Sequence, residues 1–229
     1  MSRYRTVHSQ ADVDRWIAQG FGQGQGKDYK SWIRGHHFGS KGRCHRLMST
    51  KTGRIQDTFS DVERNWCILL DFDDDVVETR EQFALLPQTS AMEIARRLRI
   101  QYPLYPGTDV PFVLSLDFFI TLRPVGGRLR YAARSVKMSS DLSDKRVLDK
   151  LTLERVFCEE RGWQWKLLTE RNLPKILLRN VNWLRQGYTL PSHLKTSEVQ
   201  LAFLVVFQKR GRIGSELRFE KQDTLTPGM

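Results

Sequence analysis

Val113-Leu114-Ser115-Leu116-Asp117-Phe118-Phe119-Ile120-Thr121-Leu122 carries one charge in ten residues. Branched and aromatic side chains dominate it, so it reads as a buried strand, where an ionised carboxylate is costly unless something cationic meets it. Gly126-Gly127 then supplies a hairpin turn, and a second strand is expected over 130–138. A two-residue loop there sets Asp117 opposite Val136, one place from Lys137. A slip or bulge of a single residue brings Asp117 and Lys137 to one face, with Ser135 beside Lys137 at i, i+2.

Outward from this hairpin the periodicity changes. A long helix is expected over 144–161, stopped by Gly162, with Val147, Leu148, Leu151 and Cys158 as its buried stripe. Trp163, Trp165 and Leu167 then alternate as a third strand. On the other side, Ser60-Asp61-Val62-Glu63 opens a helix whose Val62, Trp66, Leu69 and Leu70 share a face. Its S-x-x-E pattern is that of a capping box, which gives Glu63 a purely structural role as one alternative. The acidic segment Asp71 to Asp75 reads as a solvated turn, and a short helix follows over 90–100. Helix, strand, strand, helix, strand predicts a mixed α/β core.

Nearer the start, a helix fits 12–19, with Val13, Trp16 and Ile17 on one face. Gly20, Gly22, Gly24 and Gly26 then alternate with other residues up to Lys27. The stretch invites a phosphate-binding P-loop reading but departs from its pattern, because Phe21 and Asp28 stand where glycine and a hydroxyl residue are required. A Rossmann turn is excluded because a helix, not a strand, precedes the glycines. A flexible arm that touches DNA or a partner is the expectation instead. Beyond it, basic residues interleave with aromatics and with His36, His37 and His45, and Lys27, Lys30, Arg34, Arg43, Arg46, Lys51 and Arg54 are candidates for phosphate contact. An ordinary solvated charged face is the alternative for that stretch. The adjacent His36 and His37 lack metal-ligand spacing.

The chain has 229 residues and a net charge of +11, so it has room for one sizeable domain with an appendage and favours a polyanionic partner. No run approaches the roughly 18 apolar residues of a membrane span, and Met1-Ser2-Arg3-Tyr4-Arg5 lacks a signal-peptide core, so a cytoplasmic location is expected. Cys44, Cys67 and Cys158 are odd in number and far apart, which points to free thiols and to neither a disulfide framework nor a zinc site.

An acid on a helix, an aspartate on a buried strand and a lysine on the next strand form the arrangement of the PD-(D/E)xK nucleases. Two carboxylates there hold Mg²⁺, while the lysine orients or deprotonates the attacking water. Whole phrases make the likeness more specific. Gly22-Gln23-Gly24-Gln25-Gly26-Lys27-Asp28-Tyr29, Lys51-Thr52-Gly53-Arg54, Ser60-Asp61-Val62-Glu63, Arg80-Glu81-Gln82-Phe83-Ala84-Leu85-Leu86-Pro87, and Val136-Lys137 followed by Leu148-Asp149-Lys150-Leu151 resemble the TnsA family over residues 19–185. This family supplies the endonuclease subunit of heteromeric Tn-seven-type transposases.

The resemblance implies a restriction-endonuclease-like catalytic domain over 1–170 and a small helical, winged-helix-like partner-binding domain over 171–229. It implies Mg²⁺, with Mn²⁺ able to substitute, and cleavage of the 5′ strands at transposon ends. A DDE-type partner, TnsB, would cut the 3′ ends and an ATP-dependent regulator, TnsC, would bind, all in the bacterial cytoplasm at the nucleoid. Carried over by position, Glu63 and Asp117 match the metal-binding acids, Lys137 the catalytic lysine and Glu154 an accessory acid. Ser135 stands where the family has glutamine, so Ser135, the Val136 carbonyl or water would complete the metal's ligands. That departure keeps a weakly catalytic DNA-binding scaffold as a second reading, and a stand-alone restriction or junction-resolving nuclease is a third. In the tail, a helix with Ile176, Leu177, Val181 and Leu184 is expected to end at Gly187. Pro191-Ser192 then links to an apolar run over 201–207, basic residues over 209–212 and a disordered end over 222–229.

Overall fold

The computed structural model describes residues 7–34, 43–123 and 126–185, together with 197, 198 and 201. The chain divides into two compact units, Met1–Leu173 and Pro174–Met229. The first holds α1 (Gln10–Ala18), β1 (His45–Met48), β2 (Ile55–Thr58), α2 (Asp61–Phe72), β3 (Val76–Ala84), α3 (Gln88–Leu98), β4 (Ser115–Leu122), β5 (Arg130–Val136), α4 (Lys145–Glu159) and β6 (Gln164–Leu168). A four-stranded sheet in the order β3-β4-β5-β6 is antiparallel except for the parallel β5–β6 pair, which α4 connects. Val62 and Cys67 of α2 pack with Phe118, Ile120 and Val136. A second core joins Ile94 of α3 and Leu153 and Phe157 of α4 to Leu116, Phe119 and Ala133. This is the mixed, helix-flanked sheet of the restriction-endonuclease-like expectation.

Several local expectations are corrected. Strand β3 and the β1–β2 hairpin were not foreseen. The β4–β5 turn is not a two-residue loop, since Leu122 pairs with Arg130 and residues 123–129 connect the strands. The buried stripe of α4 is Leu151, Leu153, Glu154, Phe157 and Cys158, with Leu148 exposed. Asp71 is no part of a solvated turn: it is buried at the end of α2 and accepts hydrogen bonds from the Ser49 hydroxyl and from the Thr50 amide and hydroxyl.

The glycine-rich segment is not a flexible arm. Gly22 and Lys30 are joined by a backbone bond of 2.7 Å, Lys30 donates back to Gln23 at 3.0 Å, and the Gly26 amide donates to Glu78 at 2.6 Å. Phe21 and Trp32 are buried with Trp16 and Ala84. A side chain at Gly22 would lie 2.6 Å from the Ala84 Cβ, and its φ is +72°, so both the conformation and the close approach require glycine there. In the second unit, α5 (Lys175–Arg185) buries Val181. Gly187, Pro191-Ser192, positions 202–212 and the end over 222–229 lie outside the described residues, as do His36 and His37. Among the described residues no helix is long and apolar enough to cross a membrane.

Candidate active site

The β4–β5 register is one residue away from the two-residue-loop pairing: Phe118 faces Arg134, and the next step sets Asp117 opposite Ser135. Asp117 and Lys137 therefore share a face, as the slipped alternative required. The β4–β5 ladder stops at that point. Beyond it Leu116 and Ser115 stay paired with β3, while Ser135 and Val136 pair with β6, so the two strands separate where Asp117 sits. Asp117 Oδ2 accepts the Val136 amide at 2.6 Å, and the Lys137 ammonium lies 3.5 Å from the same oxygen while it donates to the Val136 carbonyl at 2.8 Å. Asp117 raises the Lys137 pKa, against the opposing effect of burial, so the amine stays charged.

Glu63 arrives from the first turn of α2, where Ser60 is the N-cap; the backbone half of the expected capping box is taken by the Phe59 amide. Ser60 Oγ accepts the Glu63 amide at 3.1 Å and donates back to its carboxylate at 3.0 Å, and the Phe59 amide also donates to that carboxylate at 3.0 Å. The structural role and the candidate chemical role thus fall on one residue. Burial, and then the charge of Asp117, push the Glu63 carboxyl up to about 7. Two acids close enough to repel, beside one ammonium, form a pocket of negative charge. Oxygen donors of this kind, with the Val136 carbonyl, suit a hard divalent cation such as Mg²⁺. Among the described residues no group of three or more His, Cys, Asp or Glu side chains is arranged to hold a metal, so a cation would rest on the two carboxylates, backbone oxygen and water.

The Ser135 hydroxyl is engaged away from the two acids. That group is fully buried; it donates to Glu154 at 2.5 Å and accepts from the Trp165 indole at 3.0 Å. Glu154 is itself buried, with Lys150 at 3.6 Å, and burial raises its pKa. Glu154 therefore braces β5 from α4 behind the acids. Trp165 in this role was missed, because alternation marked it only as a strand residue. Glu170 was missed too: its carboxylate accepts the Ser139 amide at 2.8 Å and holds the chain just past Lys137.

The seven candidate phosphate contacts divide. Arg54 is largely buried, with 12% of its side chain exposed; it forms two 2.6 Å hydrogen bonds to Glu81 and lies over the Tyr29 ring, so its charge is already answered. Lys51 donates to the Asp73 carbonyl at 2.7 Å and ties the β1–β2 turn to the end of α2. Lys27, Lys30, Arg43 and Arg46 are exposed and Arg34 is half-buried. All three cysteines are free thiols.

The profile of the TnsA-like endonuclease N terminal matches residues 73–170, which include Asp117, Lys137 and Glu154. The chain is also 33% identical over 204 residues to the transposon Tn7 transposition protein TnsA of Escherichia coli, a match that covers 89% of this chain and 70% of that protein.

Proposed function

Because the chain belongs to the TnsA family of DNA endonucleases, we propose that it cuts the 5′, non-transferred strands at transposon ends in a Mg²⁺-dependent reaction during cut-and-paste transposition. The observation that supports this most directly is the convergence of Asp117 and Lys137 at the split in the sheet, with the Glu63 carboxylate near enough to Asp117 for its pKa to rise. Glu63 and Asp117, with the Val136 carbonyl, would hold the cation. Bound Mg²⁺ supplies positive charge to the scissile phosphate and acidifies an attacking water. Lys137, kept protonated by Asp117, orients that water or the phosphate oxygen from its 3.5 Å station. The Val136 amide holds the Asp117 carboxylate in one orientation, and the Ser60 and Phe59 donors do the same for Glu63. Exposed lysines and arginines add phosphate contacts without base readout.

A TnsB-type DDE transposase would cut the opposite strands, and a TnsC-type ATPase would license both. The second unit is the partner-binding module in this reading, and the complex works in the cytoplasm. With these partners present, Asp117→Ala or Lys137→Ala abolishes 5′ nicking while 3′ nicking persists. Sustained 5′ cutting by both variants would take these side chains out of the reaction.

A further inference from the structure

A cleft of about 560 Å³ opens between the glycine-rich turn and the β1–β2 hairpin. Lys27, Asp28, Lys30 and Arg34 line it from the N-terminal segment, and Arg46, Arg54 and Asp57 from the hairpin. Arg54 is matched by Glu81, and Arg46 rests 3.6 Å from Asp57. Lys27, Lys30 and Arg34 have no carboxylate partner among the described residues. Lys30 donates instead to the Gln19 carbonyl at 2.9 Å, and the Arg34 guanidinium stands 5.3 Å from the centre of the Phe21 ring. The cations are carried on a firm wall, because the Gln23–Lys30 bridge and the Gly26–Glu78 bond fix the backbone that bears them. Asp28 and Asp57 also line the cleft, so its five cations outnumber its two carboxylates; an excess of positive charge already in position is what a polyanion neutralises with little loss of entropy.

The same hairpin reaches the acids. His45 of β1 pairs with Asp61 at the head of α2 at 2.7 Å, two residues from Glu63. Cys44, just before β1, feels the charges of Asp57, Glu63 and Arg46 together. A duplex whose scissile phosphate lies at Glu63 and Asp117 offers about one further negative charge per 1.7 Å of its axis. We infer that this cleft is a second phosphate-binding site, which grips the DNA backbone away from the cut and sets the duplex relative to the catalytic acids. The inference rests on the endonuclease reading and adds a surface to it. An acidic protein segment is the competing occupant, but the hairpin that joins the cleft to the acids favours the strand that those acids cut.

The test is a salt titration of the full chain with double-stranded DNA of arbitrary sequence, in buffer free of divalent ions. Lys27→Ala/Lys30→Ala/Arg34→Ala should flatten the plot of log affinity against log salt by two to three units, at about 0.9 per phosphate contact. Arg96→Ala/Arg155→Ala, exposed cations on α3 and α4, should leave the slope unchanged. An unaltered slope in the triple variant overturns the cleft. So does a cleft whose loss abolishes binding of poly-glutamate and spares that of DNA. A wild type that shows the expected slope yet never cuts with Mg²⁺ and its partners would sink the endonuclease reading alone. A wild type that cuts while the triple variant keeps its slope would sink the cleft alone.

Discussion

Arg54 and Glu81 meet through two hydrogen bonds of 2.6 Å, whereas Lys137 and Asp117 meet through one contact of 3.5 Å. Around the first pair, Arg80 sits 3.3 Å from Glu78 and beneath the Phe83 and Phe119 rings, Thr121 donates to Glu78, and the Tyr29 hydroxyl donates to the Glu81 carbonyl. Two cations answer two acids there, and the group pins the glycine-rich turn and the β1–β2 hairpin to β3. Around the second pair, Glu63, Asp117 and Glu154 outweigh Lys137 and Lys150. One network is closed and holds layers together. The other is left short of positive charge, the condition for receiving a cation and a phosphate.

Removing charge at the open site has the largest expected effect. Glu63→Gln should lower strand cleavage by roughly 10³-fold or more in a single-turnover assay, while folding survives. Near-normal cleavage would show that the imbalance serves no chemistry. In the closed network, Glu81→Ala should cost about 3–5 kcal/mol in urea denaturation, since it strands the buried Arg54 cation. Arg54→Met/Glu81→Leu should recover most of that, and a double variant as unstable as the single one would mean that the pair does more than cancel itself.

A pH series sharpens the contrast. A carboxyl raised from 4.5 to about 7 in the fold keeps its proton where the unfolded chain releases it, so the metal-free protein loses stability as pH climbs through that window. Melting curves should therefore show Glu63→Gln gaining on wild type between pH 5 and 8, and a constant difference would contradict the burial and repulsion assigned to Glu63. The smallest effect is expected at Trp165→Phe, which deletes one donor to Ser135 and should cost about 1 kcal/mol, read by thermal melting.

The candidate site was legible in part because Asp117 breaks a local rule, as a lone charge in an apolar strand. Glu63 obeys one, the capping pattern, and was singled out by its match to the family's metal-binding acid. The register was legible only as an alternative, because the turn chemistry of Gly126-Gly127 points to a short loop while seven residues make the connection. Strand β3 was invisible for the opposite reason. Its Glu78, Arg80, Glu81 and Gln82 give no apolar alternation, and the partners of Glu78 and Glu81, namely Arg54, Thr121 and Gly26, lie 27 to 52 residues away. The glycine turn misled in the same way, since its anchor on Glu78 and its packing on Ala84 exist only in three dimensions.

The parting of β4 from β5 has a further meaning. The amide that could have extended their ladder is given to a carboxylate, so the proposed cutting centre is a seam left unsewn in the sheet. Mending it, with a hydrocarbon at position 117 and two more cross-strand pairs, would make a sturdier protein and an idle one. Selection for durability and selection for cutting pull this seam in opposite directions.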